Sequence, residues 1–410
     1  MIVSLQMVSQ CTLKGFDGSV KVSNKVEQKK QKTQYLDYGL LAVVIFLVCF
    51  GLVMLYSTSY YAGLTKFDNG MYFFMRQCRA ALLGLLGMIV VSMFPIKLYE
   101  RLAFFAYVAS VLILFAVWTP LGVEAYGARR WVSIPLLGTF QPAELTKVGV
   151  IIFIPILICK AGHKIKDFKV LIKIFICGAI AAAGVFFITD NLSSAIIVMG
   201  IVCVMIFVAH PKTGIWIALV GAVLAAALFA VRVLDKVMDT SSDFRLRRIL
   251  VWLHPEQYSD DGGFQIMQGL YAIGSGGFFG KGLGNSAQKM VIPEVQNDMI
   301  LSIICEELGV CGVIVLFTLF GMMLYRLMFI AQNAPTMYSS LVVTGIFAHI
   351  AIQVILNVCV VLNVIPTTGI SLPFISYGGT ALLISMAEIG VALGISRRIK
   401  LDEPQTVEKS

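Results

Sequence analysis

Uninterrupted apolar runs of about 17 to 25 residues, each long enough to cross the hydrocarbon core of a bilayer, recur along most of this chain of 410 residues. In lipid, every backbone N–H and C=O must find its partner inside the protein, which leaves helices or closed barrels. A run such as LLAVVIFLVCF, residues 40–50, has none of the alternation of a barrel strand. Hydrophobic residues make up 58% and charged residues 13% of the sequence, with a mean hydropathy of +0.87. A soluble globule could not keep its surface wet with that balance.

The runs predict an all-α polytopic membrane protein of about ten spans, near 38–57, 77–94, 102–118, 144–159, 170–188, 192–209, 213–233, 299–325, 338–361 and 377–396. An even number puts both termini on one side. Lys14, Lys21, Lys25, Lys29, Lys30 and Lys32 precede the first span, Lys160, Lys164, Lys166 and Lys169 follow the fourth, and Arg397, Arg398 and Lys400 follow the last. Basic residues near span ends face the cytoplasm, so both termini are expected there.

Residues 1–35 read as a disordered cytoplasmic tail, 36–398 as one transmembrane domain and 399–410 as a short cytoplasmic tail. The segment 234–298 forms a long extracytoplasmic loop between the seventh and eighth spans. No cleaved signal is expected, and the first span serves for targeting. The net charge of +9 suits an anionic leaflet and not a nucleic-acid partner. The nine cysteines form no C-x-x-C and lie mostly in apolar runs, which reads as packing and not as disulfides or metal ligation. The four histidines, at 163, 210, 254 and 349, are dispersed and suggest no zinc site.

With no soluble catalytic domain attached, any chemistry belongs to the spans or the outer loops. Three outer segments mix Gly, Pro, charge and aromatics: 127–147, 245–298 and 365–380. Within the second, Phe264 to Ile273 has Ile266, Leu270 and Ile273 at helical spacing, as in an amphipathic helix lying at the interface. Glycines follow at 274, 276, 277, 280, 282 and 284, but Lys281 is followed by Gly282, so no phosphate-loop motif closes. A turn beside the bilayer and a loop whose N–H groups meet a phosphate both remain open.

Charges at membrane depth need a partner or a cavity. Glu144 and Lys147 are three apart at the start of the fourth span and can neutralise each other on one helix face, either to steady the helix end or to line a polar pocket. Asp298 stands just before the eighth span, where it is either a helix N-cap or a reacting group. At 100° per residue Glu306 is turned about 80° from Asp298 and lies about 12 Å deeper, while Glu307 points away, so the three acids form no metal cluster within that helix. Arg129 and Arg130 beside Trp131 are either interface anchors or a phosphate clamp. Arg245, Arg247, Arg248, Lys281 and Lys289 add positive charge to the same outer face.

Four motifs, GARRWV…FQPAELTK (127–147), FQIMQGLYAIGSGGFFGKGLGNSAQK (264–289), PEVQNDMILSIICEELG (293–309) and PTTGISLPFISYGGT (366–380), resemble the SEDS family of bacterial peptidoglycan glycosyltransferases, with its FtsW and RodA branches. The resemblance covers about residues 36–398 and implies a ten-helix fold. The implied activity is polymerisation of lipid II on the outer face of the cytoplasmic membrane, releasing undecaprenyl diphosphate, alongside a class B penicillin-binding protein and other divisome membrane proteins. The family's essential aspartate falls on Asp298, its polar pocket on Glu144 and Lys147, and its Arg-Trp on Arg130 and Trp131.

Within these motifs the expected substrate-binding residues are Arg130, Glu144, Lys147, Lys289 and Gln268, with Trp131, Glu306 and Ser376 as supports and Asp298 as catalytic base. For the leaving diphosphate, Arg130, Lys147, Lys289 or a divalent cation, Mg²⁺ or Mn²⁺, are alternatives among which the sequence does not choose. Where relatives often carry His-Thr before the aspartate this chain has Gln296 and Asn297, and where many carry Asp-Leu-Gly-Thr it has Asn191, Leu192, Ser193 and Ser194. The last motif looks more like the division branch than the elongation branch. A lipid II transporter is the competing reading, but no pair of Gly- or Pro-broken helices stands in corresponding halves, as such folds require.

Overall fold

The computed structural model describes residues 36–400, apart from 126–127, 135–137, nearly all of 212–243 and 259–261. Among the described residues, nine helical stretches are long and apolar enough to span a membrane. The span expected at 213–233, both tails and much of the loop from 234 lie outside those residues.

The spanning helices are α1 (Tyr38–Phe67), α2 (Tyr72–Met93), α3 (Ile96–Leu112, continued by a 3-10 turn to Trp118), α4 (Pro142–Ala161), α5 (Phe168–Thr189) and α6 (Leu192–Ala209). Two shorter helices follow, α7 (Phe244–Leu253) and α8 (Gly263–Gly276), and then the spanning helices α9 (Ile300–Asn333), α10 (Met337–Val361) and α11 (Gly379–Ser396). Local chemistry sets several starts. The Asp37 carboxylate caps α1 by accepting from the Leu40 N–H at 2.9 Å, and Pro142 opens α4 at a position where a missing N–H costs nothing. Asn191, at the departure from the family pattern, caps α6 through the Ser194 N–H at 3.0 Å.

Between α3 and α4, overlapping the outer segment expected at 127–147, lies a folded connection. It is an antiparallel sheet of β1 (Gly122–Ala125), β2 (Ala128–Ile134) and β3 (Gly138–Phe140), in which Trp131 pairs with Val123 and Arg129 with Glu124. Helix α8 matches the expected amphipathic segment, whereas α7 was not foreseen.

The bundle packs through aliphatic side chains contributed by every spanning helix. Its closest seam joins α2 and α11, where a Cβ on Gly390 or Gly394 would sit 2.6 Å from the Met88 carbonyl or 2.8 Å from that of Ser92. Small residues spaced by four let two backbones approach in this way, which is how helices associate in lipid without a hydrophobic drive.

Helix α9 is interrupted at Gly309, whose φ of 64° and ψ of −162° break the ladder. The glycine run enters the gap. The N–H groups of Lys281 and Gly282 donate to the Glu306 and Glu307 carbonyls, both at 2.9 Å, while those of Val310 and Cys311 donate to Gly277 and Phe278, at 3.2 and 3.1 Å. Backbone groups freed by the break are thus satisfied by a second backbone, the condition for irregular chain near a membrane. At least these two N–H groups of the run are therefore bonded to protein carbonyls.

Candidate active site around Asp298

Asp298 sits in the turn before α9, half-buried. Met299 holds the N-cap position with no side-chain cap bond, so the capping alternative does not describe this aspartate. Its backbone carbonyl accepts from Asn357 of α10 at 2.9 Å, and its Oδ1 faces the Gln265 amide of α8 at 3.5 Å. Burial pushes its carboxyl above the ordinary carboxylate range. Glu294 adds to the rise, while its own backbone N–H, Arg248 and Gln265 oppose it. A carboxylate poised in that direction is a better proton acceptor than a fully solvated one.

Arg248, on α7, is the residue whose role the sequence did not single out. It acts electrostatically on Asp298, and burial together with the nearby charge of Arg130 draws its guanidinium below the usual arginine range. Arg248 thus feels the carboxylate of Asp298 on one hand and the guanidinium of Arg130 on the other. Arg130 also donates from Nη2 to the Asp190 carbonyl at 2.9 Å, tying β2 to the end of α5, and Trp131 beside it is half-buried. Helix α7 is held in turn by Trp252, whose indole donates to the Asn363 carbonyl at 2.9 Å.

Glu144 and Lys147 form a buried ion pair of 2.8 Å at the start of α4. Lys147 Nζ lies 3.5 Å from Gln353 Oε1, and the Gln353 amide donates to the Ser371 carbonyl at 3.0 Å. Gln353 stands one turn from Asn357 on α10, so the pair reaches the scaffold that holds Asp298. Ser376 is buried and its hydroxyl accepts from the Leu372 N–H at 2.8 Å, which closes the turn before α11. The neighbouring Tyr377 N–H donates to the Gln296 carbonyl at 2.9 Å, binding that turn to the segment leading to Asp298. The side chains of Gln296 and Asn297 both donate to Glu294, at 3.0 and 3.2 Å, and Glu294 also pairs with Lys66.

The remaining expected residues lie elsewhere. Gln268 is half-buried on α8, and the glutamine that meets Asp298 is Gln265, about one turn earlier. Lys289 bonds to Glu307 at 3.1 Å, Ser57 at 3.3 Å and the Gly284 carbonyl at 2.6 Å. Glu306 accepts from Lys281 at 2.7 Å and from the Ser286 hydroxyl. These contacts form a second cluster, which clasps the glycine run to the broken end of α9. Among the described residues no three His, Cys, Asp or Glu side chains group as a metal site would require.

The described residues form the bundle of a polytopic helical membrane protein, in which Asp298, just before α9, is coupled electrostatically to Arg248 and Arg248 in turn to Arg130. Residues 38–401 match the FtsW/RodA/SpoVE family, described as cell cycle proteins. The chain is 34% identical to a probable peptidoglycan glycosyltransferase FtsW of Geobacter sp. (strain M18), covering 90% of this chain and 99% of that one. It is also 34% identical to the stage V sporulation protein E of Bacillus subtilis (strain 168), over 88% of this chain and 97% of that one. Among solved structures it resembles a chain from a peptidoglycan synthase complex studied for its coordination of polymerization and crosslinking, with a TM-score of 0.72 and 27% identity, over 90% of this chain and 99% of that one. The chain belongs to the FtsW/RodA/SpoVE family.

Proposed function

We propose that this protein is an inverting peptidoglycan glycosyltransferase that polymerises lipid II on the outer face of the cytoplasmic membrane, with Asp298 as general base. The observation that carries the reading is the half-buried Asp298 carboxylate, which faces the Gln265 amide and lies in the electrostatic field of Arg248. The 4-hydroxyl oxygen of the acceptor sugar attacks the anomeric carbon of the donor, the bond from that carbon to the lipid diphosphate breaks, and Asp298 takes the hydroxyl proton. A positioned base supplies about 10²- to 10⁴-fold, and the departing diphosphate needs fixed positive charge. Arg248, which acts on the Asp298 carboxylate, and Arg130, which acts on Arg248, are its sources in this reading, and Lys147 is buried in an ion pair with Glu144. One carboxylate suffices, because an activated diphosphate leaves without the second acid that a glycoside hydrolase employs.

The sugar end of the substrate stays in water while its polyprenyl tail lies in the bilayer, which accounts for a base at the rim of the bundle. The basic span ends support cytoplasmic termini. Likeness to FtsW proteins supports a septal role alongside a class B penicillin-binding protein and other divisome membrane proteins. The broken helix α9 does not favour a transporter, since the backbone of 277–282 fills the break.

The test is polymerisation of purified lipid II by the protein reconstituted with its penicillin-binding partner. The parent is expected to make glycan strands, and the correctly folded Asp298→Ala and Asp298→Asn variants none. Full activity in both would remove Asp298 from the role of base, and lipid translocation without polymer would replace the whole reading.

A further inference from the structure

In the middle of α10 the imidazole Nδ1 of His349 lies 2.8 Å from Oε2 of Glu388 on α11, with both side chains almost wholly buried. His349 is the central residue of Met337–Val361, about 18 Å from either end of the helix at 1.5 Å per residue. Ionisable groups at that depth are costly, and as a rule they mark a pathway or a relay. Neither residue takes part in the chemistry at Asp298.

The pair satisfies only half of its polar atoms. His349 Nε2 and Glu388 Oε1 are buried with no hydrogen-bond partner among the described residues. Such atoms are costly to leave bare, and water, which both donates and accepts, is the ligand that suits them.

A polar stripe leads to them from the site above. His349, Gln353 and Asn357 are spaced by four on α10 and share one face. Asn357 holds the Asp298 carbonyl at 2.9 Å, and its own Oδ1 is buried without a partner among the described residues. Gln353, one turn on, meets Lys147 and the Ser371 carbonyl. Each turn of this face offers water a polar foothold where the rest of the bundle is aliphatic.

Charge decides what else the site holds. A bare carboxylate facing a neutral imidazole would leave a net negative charge at the centre of the bilayer. One added proton makes the pair neutral, as imidazolium with carboxylate or as imidazole with carboxylic acid.

Among the described residues no neighbouring charge does this instead. On α4, Glu144 and Lys147 neutralise each other, and Lys160 stands at the far end. On α9, Glu306 and Glu307 pair with Lys281 and Lys289, and Arg326 pairs with Asp37. Helices α6 and α8 carry no acid or base beyond Cys203 and Tyr271. Glu388 is the single charged residue of α11, and α2, packed on α11, has Arg76 and Arg79 only near its start.

We propose that His349 and Glu388 form a hydrated proton-binding site at mid-membrane depth, reached from the Asp298 side along the Asn357–Gln353–His349 face. Its ligands are water and one proton. The same face of α10 carries the amides of Gln353 and Asn357, which hold the Ser371, Asp298 and Ile370 carbonyls.

The test uses the full-length protein in lipid nanodiscs. Hydroxyl radicals generated from water by brief X-ray pulses, read by residue-resolved mass spectrometry, are expected to label His349 at a rate comparable with exposed His163. That rate should stand many-fold above the rate at fully buried Met54. In parallel, infrared difference spectra on transfer from H2O to D2O are expected to show a carboxyl or imidazolium band that shifts within minutes and is lost in E388Q. A His349 as inert as Met54, or no exchangeable band that E388Q removes, overturns the proposal. If E388Q does not fold, labelling of the unaltered protein still decides. Neither readout depends on glycan synthesis, so the outcome is separate from that of the polymerase reading.

Discussion

The side-chain amide of Asn357 holds the backbone carbonyl of Asp298 at 2.9 Å, and its second hydrogen goes to the Ile370 carbonyl at 2.8 Å. One residue of α10 thus joins the segment that carries Asp298 to the segment that leads into α11. Asn357→Ala removes both bonds without touching any reacting group. Each carbonyl left unsatisfied costs about 1–3 kcal/mol, and a base displaced by 1 Å can cost on the order of 10²-fold in rate. The expected outcome is a protein that still folds in detergent, with a lower unfolding midpoint and a larger loss in kcat than in KM for lipid II. Unchanged kcat would show that Asn357 does not position Asp298.

The environment of Asp298 gives opposite pH signs for activity and stability. Burial raises its carboxyl, Glu294 raises it further and Arg248 lowers it. With Asp298 as the proposed base, turnover requires its carboxylate, and the rate is expected to fall as pH drops through the raised value. Arg248→Gln should move that acid limb to higher pH, and Glu294→Gln should move it to lower pH. For stability, an acid whose pKa is higher in the folded state stabilises fully below its unfolded value near 3.8. That contribution is lost as pH rises through the folded value. At neutral pH the ionised Asp298 is therefore a destabilising group, and Asp298→Asn should raise the Tm while abolishing polymerisation. An Asp298→Asn protein that melts below its parent at pH 7 would contradict a carboxyl held above its ordinary range by burial.

Much of this architecture was legible because the bilayer imposes a length on apolar runs. Nine of the ten expected spans coincide with helices among the described residues, most within a few residues, and Asp298 stood out as an acid at the edge of such a run. What could not be read were features that depend on contacts between distant segments. Gly309 in EELGVCG looks like any glycine tolerated in a membrane helix, and its break becomes visible only when the run 277–282 is placed against it. The partners of Glu306 and Glu307, Lys281 and Lys289, are supplied by that same docking. Arg248 is one of six Lys and Arg residues in the segment 234–298, and only its electrostatic coupling to Asp298 distinguishes it. The choice between Gln265 and Gln268 was likewise a matter of helix phase.

The Glu144–Lys147 pair is buried on both sides, with a contact of 2.8 Å. Removing one partner strands the other charge, which costs about 3–5 kcal/mol, whereas replacing both with apolar groups of similar volume is often close to neutral. Lys147→Met and Glu144→Leu are each expected to lower the unfolding midpoint sharply, and the double variant should recover most of the loss. Polymerisation should remain impaired in the double variant if the pair also lines the substrate pocket. Recovery of both stability and activity would leave the pair a purely structural device.

The break in α9 makes the sharpest structural prediction. Gly309 has a φ of 64°, and a Cβ there would run into the backbone of Gly280 and Phe278. A side chain in that conformation costs on the order of 1–3 kcal/mol before any clash. The clash adds to it, because the obstacle is backbone and cannot swing aside. Displacing 277–282 would uncover four backbone hydrogen bonds and pull Lys281 and Lys289 from Glu306 and Glu307. Gly309→Ala is therefore expected to lower the unfolding midpoint strongly and to open residues 277–289 to limited proteolysis. Gly321→Ala, in the same helix with open space around the new methyl group, should be neutral or stabilising by up to about 1 kcal/mol. If the two variants melt alike and 277–289 stays protected in both, the glycine run is not what completes the broken helix.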